Sequence, residues 1–207
     1  MDNLDLIFEE QMSLIKKYSV IENHNVKHVL IKDIPVNIDS VKGQIILKDR
    51  LWRVTEECGE LYEAMVEENK SHILEEISDI LHFMLELMIL SGISPKYLCS
   101  EIIRSDYNNN CKLKIIFFNT DFFRYILNKD LIFDIIMPLT FAGNCLKNKP
   151  WKQAFIITDI KKYHKYIIDS FVCLIKLCKY YGISSEDLYE LYITKNKINQ
   201  KRIKTKY

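Results

Sequence analysis

Glu56-Glu57-Cys58-Gly59-Glu60 and, fifteen residues further on, Glu76-Ile77-Ser78-Asp79 are the stretches that decide how this chain folds. Glu57 and Glu60 stand three apart, as do Glu76 and Asp79, so each pair shares one face of a helix. Two such helices folded back as an antiparallel hairpin bring four carboxylates together. The flanking Leu61, Tyr62, Ile77, Ile80, Leu81, Phe83, Met84 and Leu87 are apolar at helical spacing. Acids set into an apolar helix pair are unusual, and their mutual repulsion calls for a cation. Oxygen ligands select a hard ion, Mg²⁺ or in its place Mn²⁺, over zinc, which prefers Cys and His. A di-iron bundle needs two Glu-x-x-His-type pairs, and Asp79 with His82 supplies only one.

Outward from this centre the chain reads as helix. Residues 3–18 are amphipathic, 19–40 irregular around Pro35, and 43–69 a long helix. Ser71 is the expected cap of the next helix, which stops at Gly92. Ser94-Pro95 opens a short helix. Residues 105–130 are ambiguous, with a loop at Asn108–Asn110. Helix resumes over 131–147 with a kink or start at Pro138. Thr158 is expected to cap a helix running to Tyr181, and Ser184 with Asp187 starts the last one, 185–203. Gly92-Ile93-Ser94 and Gly182-Ile183-Ser184 repeat one helix-ending pattern. The expected fold is therefore an all-α bundle of two related helical hairpins in a single domain, 1–207, with 105–130 as an insertion.

Bulk properties agree. An apolar share of 48% is that of a globular chain, and only 5 Gly and 4 Pro argue against a turn-rich β fold. A net charge of +1 gives no general attraction to nucleic acid or membrane. No apolar run is long enough to span a bilayer, and the acidic N-terminus is not a signal peptide. The six cysteines form no CxxC pair and are expected as buried thiols in a reducing cytoplasm. Residues 56–86 are acidic, whereas the stretch from Lys195 to Lys206 is basic. Lys195, Asn199 and Arg202 fall on one helix face, where three donors can meet one polyphosphate. Trp52 and Trp151 are expected in the core rather than as base-stacking side chains.

The pattern EExxE, a spacer and ExxD resembles that of the all-α nucleoside triphosphate pyrophosphohydrolases, which include MazG-like proteins and dimeric dUTPases. His82-Phe83 after the second acidic pair, and Lys195-Asn196-Lys197-Ile198-Asn199-Gln200-Lys201-Arg202, are similar to segments of the dimeric dUTPases. Tyr207 sits where those proteins often end in tyrosine, and Asn144–Lys152 resembles a Lys/Trp-rich segment of phage members. The resemblance implies that Glu57, Glu60, Glu76 and Asp79 bind two or three Mg²⁺ ions. It implies that His82 and Phe83 border the base, and that Lys195, Asn199 and Arg202, with Asn196 in the same segment, hold the substrate. It also implies a homodimer, for which the tyrosine-rich 163–181 helix offers a contact.

The expected reaction is dUTP plus water to dUMP plus pyrophosphate, with Glu57 or Glu60 as the base. One departure stands out. The family's first helix offers Gln and a nearby Asn to read uracil, and here Gln11 is followed by Met12, Ser13, Leu14 and Ile15. Base discrimination rests on such polar contacts. A dCTP or broad dNTP pyrophosphatase, and a non-catalytic helical regulatory module, are the competing readings.

Overall fold

The computed structural model describes residues 3–25, 33–103, 112–120 and 128–205. Among them there are helices and no strands: α1 (Asn3–Asn25), α2 (Val41–Val66), α3 (Lys70–Ser91), α4 (Pro95–Ile103), α5 (Leu113–Asn119), α6 (Asn128–Cys145), α7 (Ile160–Tyr180) and α8 (Ser185–Thr205). The all-α expectation holds. α2 and α3 pack together as one hairpin and α6 with α7 as the other, while α8 lies across α1 and α3. Leu47, Val54, Leu61, Ile77, Met84, Phe171 and Leu174 belong to one shared core.

The repeated helix ending is a real structural echo. Gly92 and Gly182 both take positive φ, 84° and 72°. After each, the same two bonds close the helix: Gly92 N–H to Ile89 O with Ile93 N–H to Met88 O, and Gly182 N–H to Lys179 O with Ile183 N–H to Cys178 O. This is the Schellman arrangement, which needs a residue free to adopt the left-handed region. Ser94 Oγ then accepts from Tyr97 N–H, and Ser184 exchanges bonds with Asp187, each opening the following helix.

Several boundaries differ from expectation. α1 continues to Asn25 instead of ending near residue 18. Asn69, not Ser71, caps α3: its Oδ1 accepts from His72 N–H and also from the Ser71 hydroxyl, which is thereby occupied. Asp159, not Thr158, caps α7. Thr158 is buried, its N–H bonded to Asp39 and its hydroxyl accepting from Gln44. Within 105–130, Leu113, Ile116 and Phe117 of α5 are buried in the common core. Pro138 lies inside α6, where Ser170 of α7 donates to the Ile135 carbonyl one turn before it.

The two tryptophans were expected inside and are outside, Trp52 62% and Trp151 75% exposed. Lys48, Trp52 and Thr55 of α2 line one groove together. Cys58 and Cys178 are buried free thiols as expected, whereas Cys145 and Cys173 are free but only partly buried and Cys99 is disulfide-bonded. Tyr207 lies outside the described residues. No single helix among those described is long and apolar enough to cross a membrane.

Candidate active site

The hairpin brings Glu57 of α2 together with Glu76 and Asp79 of α3, with ligand-capable oxygens within 4.8 Å of one another. Glu60, one turn along α2 from Glu57, is exposed and stands outside this trio, close enough for its charge to act on Glu57 and Glu76. Burial holds Glu57 up to about 8, helped by the charges of Asp79, Glu60 and Glu76. Burial likewise raises Glu76, with Asp79 and Glu60 adding to it. Glu76 Oε1 bonds His72 Nε2 at 2.9 Å, while Glu76 Oε2 is buried with no partner. An orphaned buried carboxylate oxygen beside two further carboxylates is an all-oxygen donor set of the kind that fits a hard divalent cation.

Across from the trio, Lys195 of α8 donates to Asp79 Oδ2 at 2.6 Å and to Glu75 Oε1 at 2.9 Å. Burial works against the Lys195 charge, but these two carboxylates hold its proton more firmly than usual. Burial raises Asp79 in spite of Lys195, and the Lys195 bond lowers Glu75. The ammonium thus offsets the charge of Asp79.

Next to these charges opens a cavity of about 270 Å³. Among the residues that line it are Glu57, Asp79, His82, Phe83, Lys195, Asn199 and Arg202, and Gln11 of α1. Residues expected from separate parts of the sequence therefore meet around one cavity. Glu60, Glu76 and Asn196 are not among the lining residues, and Asn196 is buried, its amide donating to the Tyr192 hydroxyl at 3.3 Å. The face that carries Lys195, Asn199 and Arg202 turns Asn196 away by one residue's rotation.

The polar floor of the cavity has a defined state. His82 is buried, stacked on Tyr192 with ring centroids 4.3 Å apart, and its Nδ1 lies 2.8 Å from Ser78 O. A carbonyl only accepts, so Nδ1 carries the proton. Burial, with the Lys195 charge adding to it, pulls His82 down to about 4. The ring is neutral at pH 7 and its buried Nε2, without a partner, is an acceptor. The Tyr192 hydroxyl donates to Gln11 Oε1 at 3.0 Å, which commits the Gln11 carbonyl and leaves its amide to act as donor.

Arg53, Glu22 and Tyr18 also line the cavity and were not anticipated. Arg53 stands four residues before Glu57, on the same face of α2, and its guanidinium lies 5.7 Å from the Phe83 ring centroid. The spacing from Glu57 was legible. Tyr18 and Glu22 follow Gln11 at seven and eleven residues; Tyr18 falls inside the expected helix 3–18, and only Glu22 lies beyond its expected end. Buried Arg50 anchors this end, bonding Glu86 at 2.7 Å and Glu22 at 2.8 Å.

A family model described as dUTPase matches residues 3–207. No curated protein and no solved structure matches the chain.

Proposed function

Because the chain belongs to this dUTPase family, we propose that it is a Mg²⁺-dependent pyrophosphohydrolase that converts dUTP and water to dUMP and pyrophosphate, working as a homodimer. The observation that carries the reading is that Glu57 and Asp79, which cluster with Glu76, meet Lys195, Asn199 and Arg202 around one cavity. One side suits metal and the other suits phosphate oxygens.

Glu57, Glu76 and Asp79, with Glu60 at the rim, would hold the ion or ions. When bound, such ions lower the pKa of coordinated water and offset charge that builds on the phosphoryl group. The protein's own residues supply the rest. Lys195, Asn199 and Arg202 bind and orient the polyphosphate, and Lys195 leaves Asp79 as it does so. A water oxygen bonds to the α-phosphorus, the bridging α–β P–O bond breaks, and pyrophosphate departs. Glu57, the glutamate of the first motif that lines the cavity, would take the proton of that water once cations offset the neighbouring carboxylates and its own proton is released. His82 and Phe83 border the base. The His82 Nε2 acceptor matches the N3–H of uracil, and the Gln11 amide matches a uracil carbonyl; cytosine presents an unprotonated N3 at the same edge.

The test is pyrophosphate release from dUTP and each of the four standard dNTPs with Mg²⁺, alongside Glu57→Gln and Glu60→Gln. The expected result is release from dUTP, lost by a factor of about 10² or more in Glu57→Gln. Release from dCTP or several dNTPs overturns the uracil preference and keeps the chemistry. No release from any nucleotide by a folded protein overturns the enzyme and favours a binding module.

A further inference from the structure

A second built site lies on the opposite side of α2. Lys48, Trp52 and Thr55 follow one another at i, i+4 and i+7, while Arg53 and Glu57 point towards the acidic cavity. Against Lys48 and Trp52 the segment after α6 sets Lys147, Lys149, Trp151 and Lys152, enclosing a groove of about 510 Å³. That volume is in the range of small-molecule sites. Its floor is apolar, formed by Leu51, Leu139 and Leu146, and no carboxylate is among its lining residues.

Four lysines side by side repel, and the molecule shows the effect. Lys48 holds its proton less firmly than usual, through burial first and then the charges of Lys149, Lys147 and Lys152. The segment is nevertheless held in place. Asn148 is buried at its centre, with its N–H bonded to Gln44 Oε1 at 2.7 Å. Its side-chain amide donates to Asp39 O and Ile156 O at 2.8 Å each, and its Oδ1 accepts from Ile156 N–H at 2.8 Å. Asn148 is thus a fully bonded buried hub that holds the lysine-bearing segment beside the groove. Lys149 Nζ stands 5.2 Å from the Trp151 ring centroid, so charge and aromatic surface are already paired.

We propose that this groove is a second nucleotide site, in which Trp52 or Trp151 stacks the base of a nucleoside triphosphate and Lys48, Lys147, Lys149 and Lys152 hold its phosphates. Four ammonium groups match the charge of one triphosphate, and exposed tryptophans suit a base of any kind. A nucleic acid strand is less suited: the groove is about one nucleotide in volume, and the chain's net charge of +1 offers no continuing basic track. The site is independent of the proposed hydrolysis and does not need it.

Trp52 and Trp151 are the only tryptophans in the chain, so its intrinsic emission reports on this groove. The experiment is a titration of the full chain with dUTP in EDTA, which prevents metal-dependent turnover, followed by tryptophan emission. Lys149→Gln/Lys152→Gln and Arg202→Gln are titrated in parallel, with thermal melts to establish folding. The expected result is saturable quenching in the unmodified chain and in Arg202→Gln, weakened about tenfold or more in the lysine variant. Absence of saturable quenching in the unmodified chain, or equal affinity in the folded lysine variant, overturns the site. Equal quenching by inorganic triphosphate overturns the role of the base, and tighter binding of oligothymidylate than of dUTP overturns the nucleotide in favour of nucleic acid.

Discussion

Lys195 Nζ and Asp79 Oδ2, 116 residues apart in the chain, lie 2.6 Å apart at the mouth of the acidic cavity. Both side chains are largely buried, at 10% and 18% exposure. The pair ties the C-terminal helix to the acidic hairpin and neutralises one member of the carboxylate trio. Lys195→Met strips Asp79 of its partner among neighbouring carboxylates. We expect the metal-free protein to lose about 2 kcal/mol, since an uncompensated, partly buried charge costs more than a lost neutral bond. Addition of Mg²⁺ should raise the melting temperature of this variant more than that of the unmodified chain, by linkage. Urea melts with and without Mg²⁺ check both statements; equal Mg²⁺ responses would show that the ammonium and the cation do not share a position.

Glu57 sets the pH dependence of the metal-free protein. Its folded pKa, about 8, lies above the ordinary value of 4.5. Between these two the folded state holds a proton that the unfolded state has released, so stability is full below pH 4.5 and falls as pH rises through 8. Glu76 and Asp79, also raised, act in the same direction. His82, held down to about 4, acts in the opposite direction below its ordinary value of 6.5, so the melting temperature in EDTA should decline between about pH 6.5 and pH 8, and Glu57→Gln should flatten the decline. A slope unchanged by that substitution would remove Glu57 as its origin.

Gly43 permits the turn that starts α2. A Cβ there would stand 2.0 Å from Asn37 O and 2.9 Å from Ser40 Oγ. The Asn37 carbonyl cannot easily give way, because Ser40 N–H and Ser40 Oγ both donate to it. Gly43→Ala should cost about 2 kcal/mol and lower the melting temperature by roughly 6 °C, as expected of overpacking against fixed backbone in a chain of this size. A thermal melt within a degree of the unmodified chain would show that the turn is looser than this geometry implies.

Much of the site was legible because its parts obey helical spacing. Glu57, Glu76 and Asp79 were placed on facing sides of a hairpin by their intervals, and Lys195, Asn199 and Arg202 on one stripe by theirs. Asn196 shows where spacing stops helping. It sits inside the same segment, yet faces Tyr192 rather than the cavity, and only the helix's rotation against α1 and α3 distinguishes them. Trp52 and Trp151 show the same limit. Large aromatic residues are usually inside, but these two flank lysines whose repulsion is relieved only where water or a ligand reaches them.

What the amino-acid sequence determined by itself is what depends on neighbours within a turn or two: the all-helical class, the paired Gly92 and Gly182 endings, the Ser94 and Ser184 starts and the face each acid occupies. Those follow from 3.6-residue periodicity and capping, which are local. Tertiary structure alone decided that Lys195 meets Asp79, that Tyr192 commits the Gln11 carbonyl and stacks on His82, and that Asn148 fixes a lysine-lined groove. Each of these joins groups more than a hundred residues apart. Their geometry is set by how helices rotate and cross in a close-packed core, which no local interval encodes.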